Sequence, residues 1–368
     1  MKNQRLLSLD ILRGITVAAM ILVNNGWGRS YEMLLHARWN GMTPCDLVFP
    51  FFLFIMGISY YLSLSKSEFQ PTTKVVCRIV RRTLLLFAIG LFIHWFSQAL
   101  TGEFGFAHLR ITGVLQRIAL CYGAVSCFAL FCNHRYTLHV AVLLLAIYSA
   151  ILLFGNGYAM NPHVNILAQA DLQLFGYNHL FRASAIDPEG LLSTISSIAH
   201  ALLGFYCGRL IAQPRSLSDK VTTLFVVGIV LAVGGWLLSY VLPLNKHVWS
   251  PSFVMVTCGL AALLQALLMW TIDRPAAQKD AKAKNVQCPK QWYTFFRVFG
   301  VNALALYVTS ELLAILLGKT GISETVYGWI HAVIVSPKPA SLVYALYFVL
   351  LHFAIGYVLY RKKIYLKL

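Results

Sequence analysis

The chain has 368 residues, of which 58% are hydrophobic and 12% are charged. Ordinary soluble domains carry about 25% charged residues, so this composition excludes a soluble globular protein and predicts an integral membrane protein. The net charge of +17 does not indicate a nucleic-acid partner, because the Lys and Arg residues flank apolar runs and form no basic stripe with stacking aromatics. The eight cysteines are scattered without a Cys-x-x-Cys pair, so no metal site is expected.

The apolar runs predict helices that cross a bilayer, since each is close to the roughly 20 residues that a span needs. The runs are continuously apolar rather than alternating, which argues against a strand barrel. We therefore expect an all-α fold, a polytopic membrane bundle of about ten transmembrane helices. In chain order, the predicted spans are residues 6–24, 45–64, 80–100, 112–132, 137–155, 191–211, 221–242, 251–272, 295–317 and 340–360.

Basic residues concentrate in alternate loops, notably Lys74–Arg82, Arg209–Lys220, Arg274–Lys290 and Arg361–Lys367. The positive-inside rule places these loops, and with them both termini, in the cytoplasm. The first apolar run has no cleavage site of small residues, so we expect an uncleaved helix there. The Lys-, Ala- and Gln-rich stretch 273–292 is predicted to be a cytoplasmic linker between a core of residues 1–272 and C-terminal helices in 293–368 that complete it.

His36 follows the first predicted helix in a short outer loop, ahead of an apolar run near whose start Asp46 stands. Imidazole accepts a proton near neutral pH, and a nearby carboxylate orients it and stabilises its charged form. Trp39 and Asn40 lie between them, and an indole face and a carboxamide suit a pyranose ring. The four residues predict a reactive sugar site at the edge of a bilayer.

Asn24 and Asn25 end the first predicted helix on the outer side. An Asn after a helix is often only a cap. The alternative interpretation is a carboxamide aimed at a developing oxyanion. Both interpretations are open at this point.

Charged residues within the predicted spans are costly unless they are paired or used. Asp10 and Arg13 are three residues apart, so they either pair on one helix face or contact an anionic cofactor. Gln116 and Arg117 fall about one turn into the fourth span. Arg117 is expected either to pair with Glu311 of the ninth span or to bind a phosphate.

Polar residues also precede two later spans. Asp187 and Glu189 open the sixth predicted helix, where acids are ordinary helix-start chemistry, but two outward carboxylates would also hold a cationic amino sugar. Lys246 and Trp249 precede the eighth span, and the same sugar-site interpretation applies to them.

Six long motifs run in order through most of the chain and carry a resemblance. They are LSLDILRGITVAAMILVNN, HARWNGMTPCDLVFPFFLFIMG, GVLQRIALCYG, DPEGLLSTISSIAHALLG, NKHVWSPSFVMVTCGLA and FRVFGVNALALYVTS. The chain resembles the heparan-α-glucosaminide N-acetyltransferase family of transmembrane acyltransferases and its bacterial relatives, without the large luminal domain of the lysosomal members.

The resemblance implies transfer of an acetyl group from cytosolic acetyl-CoA to the amine of glucosamine, free or terminal in a glycan, on the periplasmic side of a bacterial inner membrane. It places the active histidine on His36, as general base or acetyl carrier, and its asparagine on Asn24, with Asn25 as an adjacent candidate. Family members often pair, so a homodimer surrounded by membrane lipid is expected.

Phosphates of acetyl-CoA are expected to meet guanidinium groups, which suit them. The candidates for holding this cofactor are Arg13, Arg81, Arg82, Gln116, Arg117, Asn302 and Ser310. The alternative function is an amino-sugar or N-acetylglucosamine transporter, which predicts binding at the midplane between broken helices. A third reading, a structural or scaffold protein, leaves Arg117 and Glu311 without a purpose.

Overall fold

The computed structural model of the protein describes residues 6–181, 184–273 and 291–366. In these ranges the chain is helical and contains no strand. In chain order the helices are α1 (Leu7–Asn24), α2 (Val48–Leu64), α3 (Thr73–Ala99), α4 (Val114–Phe131), α5 (Thr137–Phe154), α6 (Ile166–Phe175), α7 (Ser193–Ala212), α8 (Leu217–Leu238), α9 (Pro251–Leu268), α10 (Gln291–Val301), α11 (Ala303–Lys319), α12 (Ile322–Val333) and α13 (Pro337–Arg361).

Eight helices of the described ranges are long and apolar enough to cross a bilayer. They are α1, α4, α7, α8 and α13, together with α2, α5 and α9 extended by the short turns that adjoin them. α10 and α11 pass the same test only as a pair, which is bent by 82° and is either a broken ninth span or a re-entrant loop. The predicted polytopic helical bundle is thereby confirmed.

The remaining predicted span, residues 80–100, lies within α3, which is not among these candidates. The helix begins earlier than predicted and carries Arg78, Arg81 and Arg82 in its first turns. Its start is set by Thr72, whose side chain accepts a hydrogen bond from the backbone N–H of Val75. Such a hydroxyl cap satisfies one of the free N–H groups of a helix start.

The expectation of one continuous helix over residues 295–317 is wrong, because the chain breaks at Asn302. The Asn302 side chain donates to the carbonyl of Ile364 and accepts from the N–H of Leu366, both at 3.0 Å. These two bonds hold the segment after α13 against the break. One N–H and one lone pair of the carboxamide are therefore used within the fold, and the prediction that Asn302 binds the cofactor stays a prediction.

Helix α1 packs against α2, α9, α10, α11 and α13, so it is central to the bundle. Its contact with α10 needs two glycines. A Cβ atom at Gly14 would overlap the carbonyl of Phe296, and one at Gly300 would overlap the carbonyl of Asp10. Small residues let the backbones of membrane helices approach closely, which is how such helices gain contact energy without a hydrophobic drive.

One end of the bundle gathers the end of α1 and the starts of α2, α4, α7 and α9 around a cavity. We call it the site end, and the other end, where α1 starts and α9 ends, the opposite end. The predicted linker lies outside the described residues over positions 274–290. The proposed division into core, linker and C-terminal helices stays a prediction, although α10 and α13 both pack on α1.

Candidate active site

The cavity at the site end has a volume of about 90 Å³ and draws on seven stretches of the chain. A volume of this size holds a few water molecules. It therefore suits small reacting groups rather than a whole sugar ring. The lining residues are Met20, Val23, Asn24, His36, Cys45, Val48, Phe49, Val114, Glu189, Lys246 and Tyr307.

His36 and Asp46 form a hydrogen-bonded pair at this cavity. Asp46 sits in the short 3₁₀ turn Pro44–Leu47 that leads into α2, and its side chain is fully buried. One of its oxygens lies 2.7 Å from Nδ1 of His36. The other accepts from the backbone N–H groups of Ala37 and Thr43, at 3.1 and 3.0 Å. A buried charge is tolerated when it is bonded in this way.

The pair assigns the imidazole a tautomer. An ionised carboxylate only accepts, so the short contact to Asp46 places a hydrogen on Nδ1 of His36. Nε2 is then the nitrogen that carries the lone pair, and Nζ of Lys246 lies 3.3 Å from it. The His36 side chain is about half exposed, at 51%, so this lone pair remains within reach of a substrate.

Lys246, from the loop before α9, brings a cation to the same pair. Its Nζ lies 3.4 Å from the Asp46 carboxylate, and 2.9 and 3.3 Å from the two ring nitrogens of His36. Because an ammonium and a ring N–H are both donors, the Asp46 oxygen is the acceptor that can serve both at once. The charges of Asp46 and Lys246 thus balance beside the imidazole.

Cys45 is a neighbour of His36 that the sequence did not indicate. The thiol is buried and lies 3.2 Å from Nδ1, on the side already taken by Asp46, and 3.9 Å from Nε2. The sequence alone gave no reason to separate Cys45 from the other cysteines, which were interpreted as packing residues. Its position next to Asp46 in the chain was the available signal.

The two asparagines at the end of α1 differ in their contacts. Asn25 is buried, and its Nδ2 donates to the carbonyl of Ile21 at 2.7 Å, so it ends its own helix and is removed from the substrate-binding set. Asn24 is exposed toward the cavity, and its Nδ2 donates to Glu311 of α11 at 3.0 Å. The expected pair of Arg117 with Glu311 is therefore wrong.

Arg110, which precedes α4, binds both acids that were expected to hold the amino sugar. Its guanidinium contacts Asp187 at 2.8 Å and Glu189 at 2.7 Å. Burial alone would raise the pKa of Asp187, but Arg110 and hydrogen bonds from it, Thr112 and the N–H of Phe181 outweigh this and lower it. Asp187 is thus a structural anchor, which corrects its predicted role, while Glu189 still reaches the cavity wall.

A third acid stands behind this loop. Asp171 of α6 is buried and accepts from the N–H of Leu191 at 2.8 Å. Burial raises the pKa of Asp171 to about 6, with a smaller contribution from the nearby charge of Asp187. A Cβ at Gly190 would overlap its carboxylate, so Gly190 must stay a glycine for the loop to close here.

Arg117 and Trp249 form a buried stack beneath the cavity. The guanidinium lies 5.2 Å from the indole centroid and donates to the carbonyl of Gly190 at 3.0 Å and to Ser193. Trp249 is 1% exposed and packs edge-on against Phe49, so it cannot offer a face to a sugar, and that prediction is corrected.

The contact with Trp249 shows that Arg117 lies at the site end of the bundle. It lies at the site end with the first turn of α4, as does the buried Gln116, whose carboxamide fills the space beside Gly90 and Gly113. We had expected both to meet cofactor phosphates that enter from the cytoplasm. Arg82 lies over Tyr122, five residues after Arg117 in the same helix, and Nε and Nη1 of Arg117 are buried without a hydrogen-bond partner among the described residues. The cofactor contact of both residues stays a prediction.

At the opposite end, Arg13 donates to Ser59 at 2.7 Å and lies 3.4 Å from Asp10, as predicted for an i, i+3 pair. Arg82 lies over the ring of Tyr122 at 4.8 Å, and Arg81 is exposed. Ser310, in contrast, is buried in α11 and donates to the carbonyl of Tyr307, so its predicted cofactor contact is corrected.

Trp39 and Asn40 lie on the surface beside the cavity. The Trp39 ring stacks on His247 at a centroid distance of 5.3 Å, and its Nε1 donates to the carbonyl of Tyr158 at 3.0 Å. Asn40 is exposed and accepts from Asn245 at 3.1 Å. Burial lowers the pKa of His247, so its ring is neutral where it meets the indole.

Comparison with known proteins now adds to this geometry. Residues 5–186 match a family profile described as "Domain of unknown function (DUF5009)". The chain is 29% identical to heparan-alpha-glucosaminide N-acetyltransferase of Mus musculus, over 99% of the chain and 60% of that protein. The Homo sapiens protein of the same name is also 29% identical, over 73% of the chain and 49% of that protein.

The bundle and its spans define a polytopic integral membrane protein. Within that class, the chain is a distant relative of the heparan-alpha-glucosaminide N-acetyltransferases, as the sequence motifs predicted. It spans about three fifths of the mouse relative and half of the human one.

Proposed function

We propose that the protein is a transmembrane N-acetyltransferase that moves the acetyl group of acetyl-CoA to the amine of glucosamine, free or terminal in a glycan. The observation that carries the proposal is the His36–Asp46 pair, which faces a cavity shared with Asn24 and Lys246. The names of the two relatives supply the acyl group and the class of acceptor.

The proton chemistry falls to His36. Nε2 takes a proton from the glucosamine amine as the nitrogen attacks the thioester carbonyl, and the imidazolium that forms is stabilised by Asp46. When the carbon–sulfur bond breaks, the proton passes to the leaving thiolate. One amine hydrogen thus ends on the thiol of coenzyme A, and the acetyl carbon ends on the sugar nitrogen.

The developing oxyanion needs donors that are already in place. Asn24 offers the second N–H of its carboxamide, since the first is held by Glu311. Lys246 places a cation next to His36 at the wall of the same cavity. One such donor is worth about 3 kcal/mol of transition-state stabilisation.

The acceptor sugar would lie across the mouth of the cavity, because only its amine fits the space within. Trp39, Asn40 and Glu189 are placed to contact the ring, and Lys246 to contact the acetyl oxygen. An indole and exposed amides suit the alternating apolar and hydroxyl faces of a sugar.

The acyl donor would enter from the opposite end, which we place in the cytoplasm by the positive-inside rule. Arg82 fits a phosphate there, since its Nε is buried without a hydrogen-bond partner among the described residues. Arg81, the preceding residue of α3, and Arg13 of α1 are the further cations that we assign to the donor. The site end then faces the periplasm of a bacterial inner membrane, and we expect a homodimer.

The decisive test is acetyl transfer by His36→Ala in sealed vesicles that hold labelled acetyl-CoA on the side of Arg82 and glucosamine on the other. We expect the rate to fall at least about 100-fold, since general acid–base catalysis contributes that much or more. His163→Ala, which alters an exposed loop histidine, serves as the matched control and should match the wild type. Full transfer by His36→Ala would reject the mechanism.

The same assay separates the remaining alternatives. Sugar movement without acetyl-CoA would support a transporter in place of the enzyme. An acetylated protein trapped when no sugar is present, and lost in His36→Ala, would make His36 the acetyl carrier rather than the base.

A further inference from the structure

Glu311 is an ionisable residue in the middle of the apolar helix α11. Acids inside a membrane span are costly, and they persist when they have a partner and a task. Its side chain is half-buried, and its described hydrogen bond is the one from Nδ2 of Asn24, at 3.0 Å. Asn24 and Glu311 are 287 positions apart, so the bundle itself brings them together.

Helix α11 borders the cavity without presenting Glu311 to it directly. Tyr307, one turn earlier, is part of the cavity wall, whereas Glu311 is not. The neighbouring Ser310 and Thr309 both donate to carbonyls of their own helix. Glu311 therefore reaches the cavity through Asn24.

Asn25 shows what Asn24 would do without this partner. Asn25 turns back and donates to the carbonyl four residues earlier in α1. Nothing in the chemistry of the two side chains differs, so the carboxamide of Asn24 would have the same option at the carbonyl of Met20. A polar side chain at a helix end readily makes such local bonds.

A carboxylate selects one orientation of the amide. Oε1 of Glu311 accepts from the NH₂ group of Asn24, which draws that group toward α11 and leaves one N–H and Oδ1 for the cavity.

We propose that Glu311 is a positioning residue, which acts through Asn24 by fixing the side-chain rotamer and amide orientation that the acetyl transfer requires. The inference rests on the proposed function, because it gives Asn24 a role at the reacting carbonyl. Misplacement of a catalytic group by about 1 Å lowers rates by about 100-fold, which is the scale of effect expected here.

The test is a double-mutant cycle in acetyl transfer with Glu311→Met and Asn24→Ala. Glu311→Met should lower kcat about 10- to 100-fold and leave KM within about threefold, since the group acts on the chemical step. Glu311→Gln keeps an acceptor for Asn24 and should restore most of the rate. In the double variant, kcat should equal that of Asn24→Ala alone. Thr309→Ala, on the same helix, is the matched control.

Wild-type kcat in Glu311→Met, or losses that multiply in the double variant, would overturn the proposal. Thermal unfolding of the same four proteins provides a readout that does not depend on activity: the Tm shifts of the single variants should fail to add. If the wild type transfers no acetyl group, the proposed function fails. The Tm cycle then still decides whether Asn24 and Glu311 are coupled, and additive shifts would reject the inference by themselves.

Discussion

Asp46 holds a charge where water does not reach, and three hydrogen-bond donors converge on it from His36 and the backbone N–H groups of Ala37 and Thr43. The Thr43 hydroxyl is also 3.1 Å away, and its one hydrogen is shared with the carbonyl of Leu35 at 2.7 Å. Lys246 adds a cation at 3.4 Å. Removing one partner of such a buried group is costly because the others lose their counter-charge. Asp46 therefore contributes both to the stability of the loop and to the orientation and charge of the His36 imidazole.

Asp46→Asn should reduce kcat for acetyl transfer at least about 100-fold, because the amide can present the wrong group to Nδ1 and no longer stabilises an imidazolium. The measurement is initial rate against sugar concentration in purified protein. Thr43→Val removes one donor but keeps the carboxylate, so it should lose less than about tenfold. An unchanged rate in Asp46→Asn would mean that Asp46 only caps its turn and does not orient the His36 imidazole for catalysis.

Sequence reasoning works at this scale when partners are close in the chain. His36 and Asp46 are ten positions apart in one loop, so their pairing could be predicted. The partners of Arg117 and Glu311 could not, since they depend on how α4 and α11 are rotated in the bundle. Both side chains were correctly judged to need partners, but the partners are Trp249 and Asn24.

At the scale of elements, the loop between α6 and α7 brings three acids close together. Asp171, Asp187 and Glu189 lie within it or beside it, and Arg110 neutralises two of them. Asp171 has only the N–H of Leu191 as a described hydrogen-bond donor. Of these three acids, Asp171 has the fewest neighbouring groups that stabilise its ionised form.

Asp171→Asn should stabilise the protein above pH 6. The pKa of Asp171 is raised on folding, from 3.8 to about 6, so the folded state binds the extra proton and wild-type stability falls as the pH rises through that window. The variant lacks this loss, and its advantage should grow between about pH 4 and 6 and stay near 3 kcal/mol or less above it.

Thermal unfolding in detergent between pH 4 and 8 measures this difference. Asp219→Asn, which changes an exposed acid at the start of α8, is the control and should show no such growth with pH. A Tm difference for Asp171→Asn that is independent of pH would mean that the carboxyl is not held against ionisation.

Helix positions were the most predictable part of the fold, because apolar length alone defines a span. Each of the ten predicted spans overlaps a helix of the structure. The errors have local causes: the Thr72 cap lengthens α3, and the bonds of Asn302 to the C-terminal segment break the ninth span. Contacts across the bundle of that kind leave no periodic trace in the sequence.

For the molecule as a whole, the proposal requires the two ends to face different compartments. Arg78, Arg81, Arg82 and Arg209 lie toward the opposite end, and the His36 cavity lies at the other. The sum of these charges orients the bundle in a bilayer more strongly than any one loop does.

We expect Val164→Cys, in the loop after α5, to react with a membrane-impermeant maleimide in intact bacterial cells. Ser218→Cys, at the start of α8, should react only after the membrane is opened. Both are placed in a background in which the exposed Cys77, Cys127 and Cys132, together with Cys288 of the predicted linker, are replaced by serine. The reverse pattern would put the His36 cavity in the cytoplasm and contradict the proposed direction of transfer.

The cavity draws its walls from Met20 near the beginning of the chain and from Tyr307 near its end. A ribosome that has made the stretch matching the family profile, residues 5–186, has not yet supplied Glu189, Lys246 or Tyr307. A nascent chain of that length therefore lacks three of the residues that line the cavity. Two separately expressed halves would be inert alone, and any activity regained on mixing would report their reassembly in the bilayer.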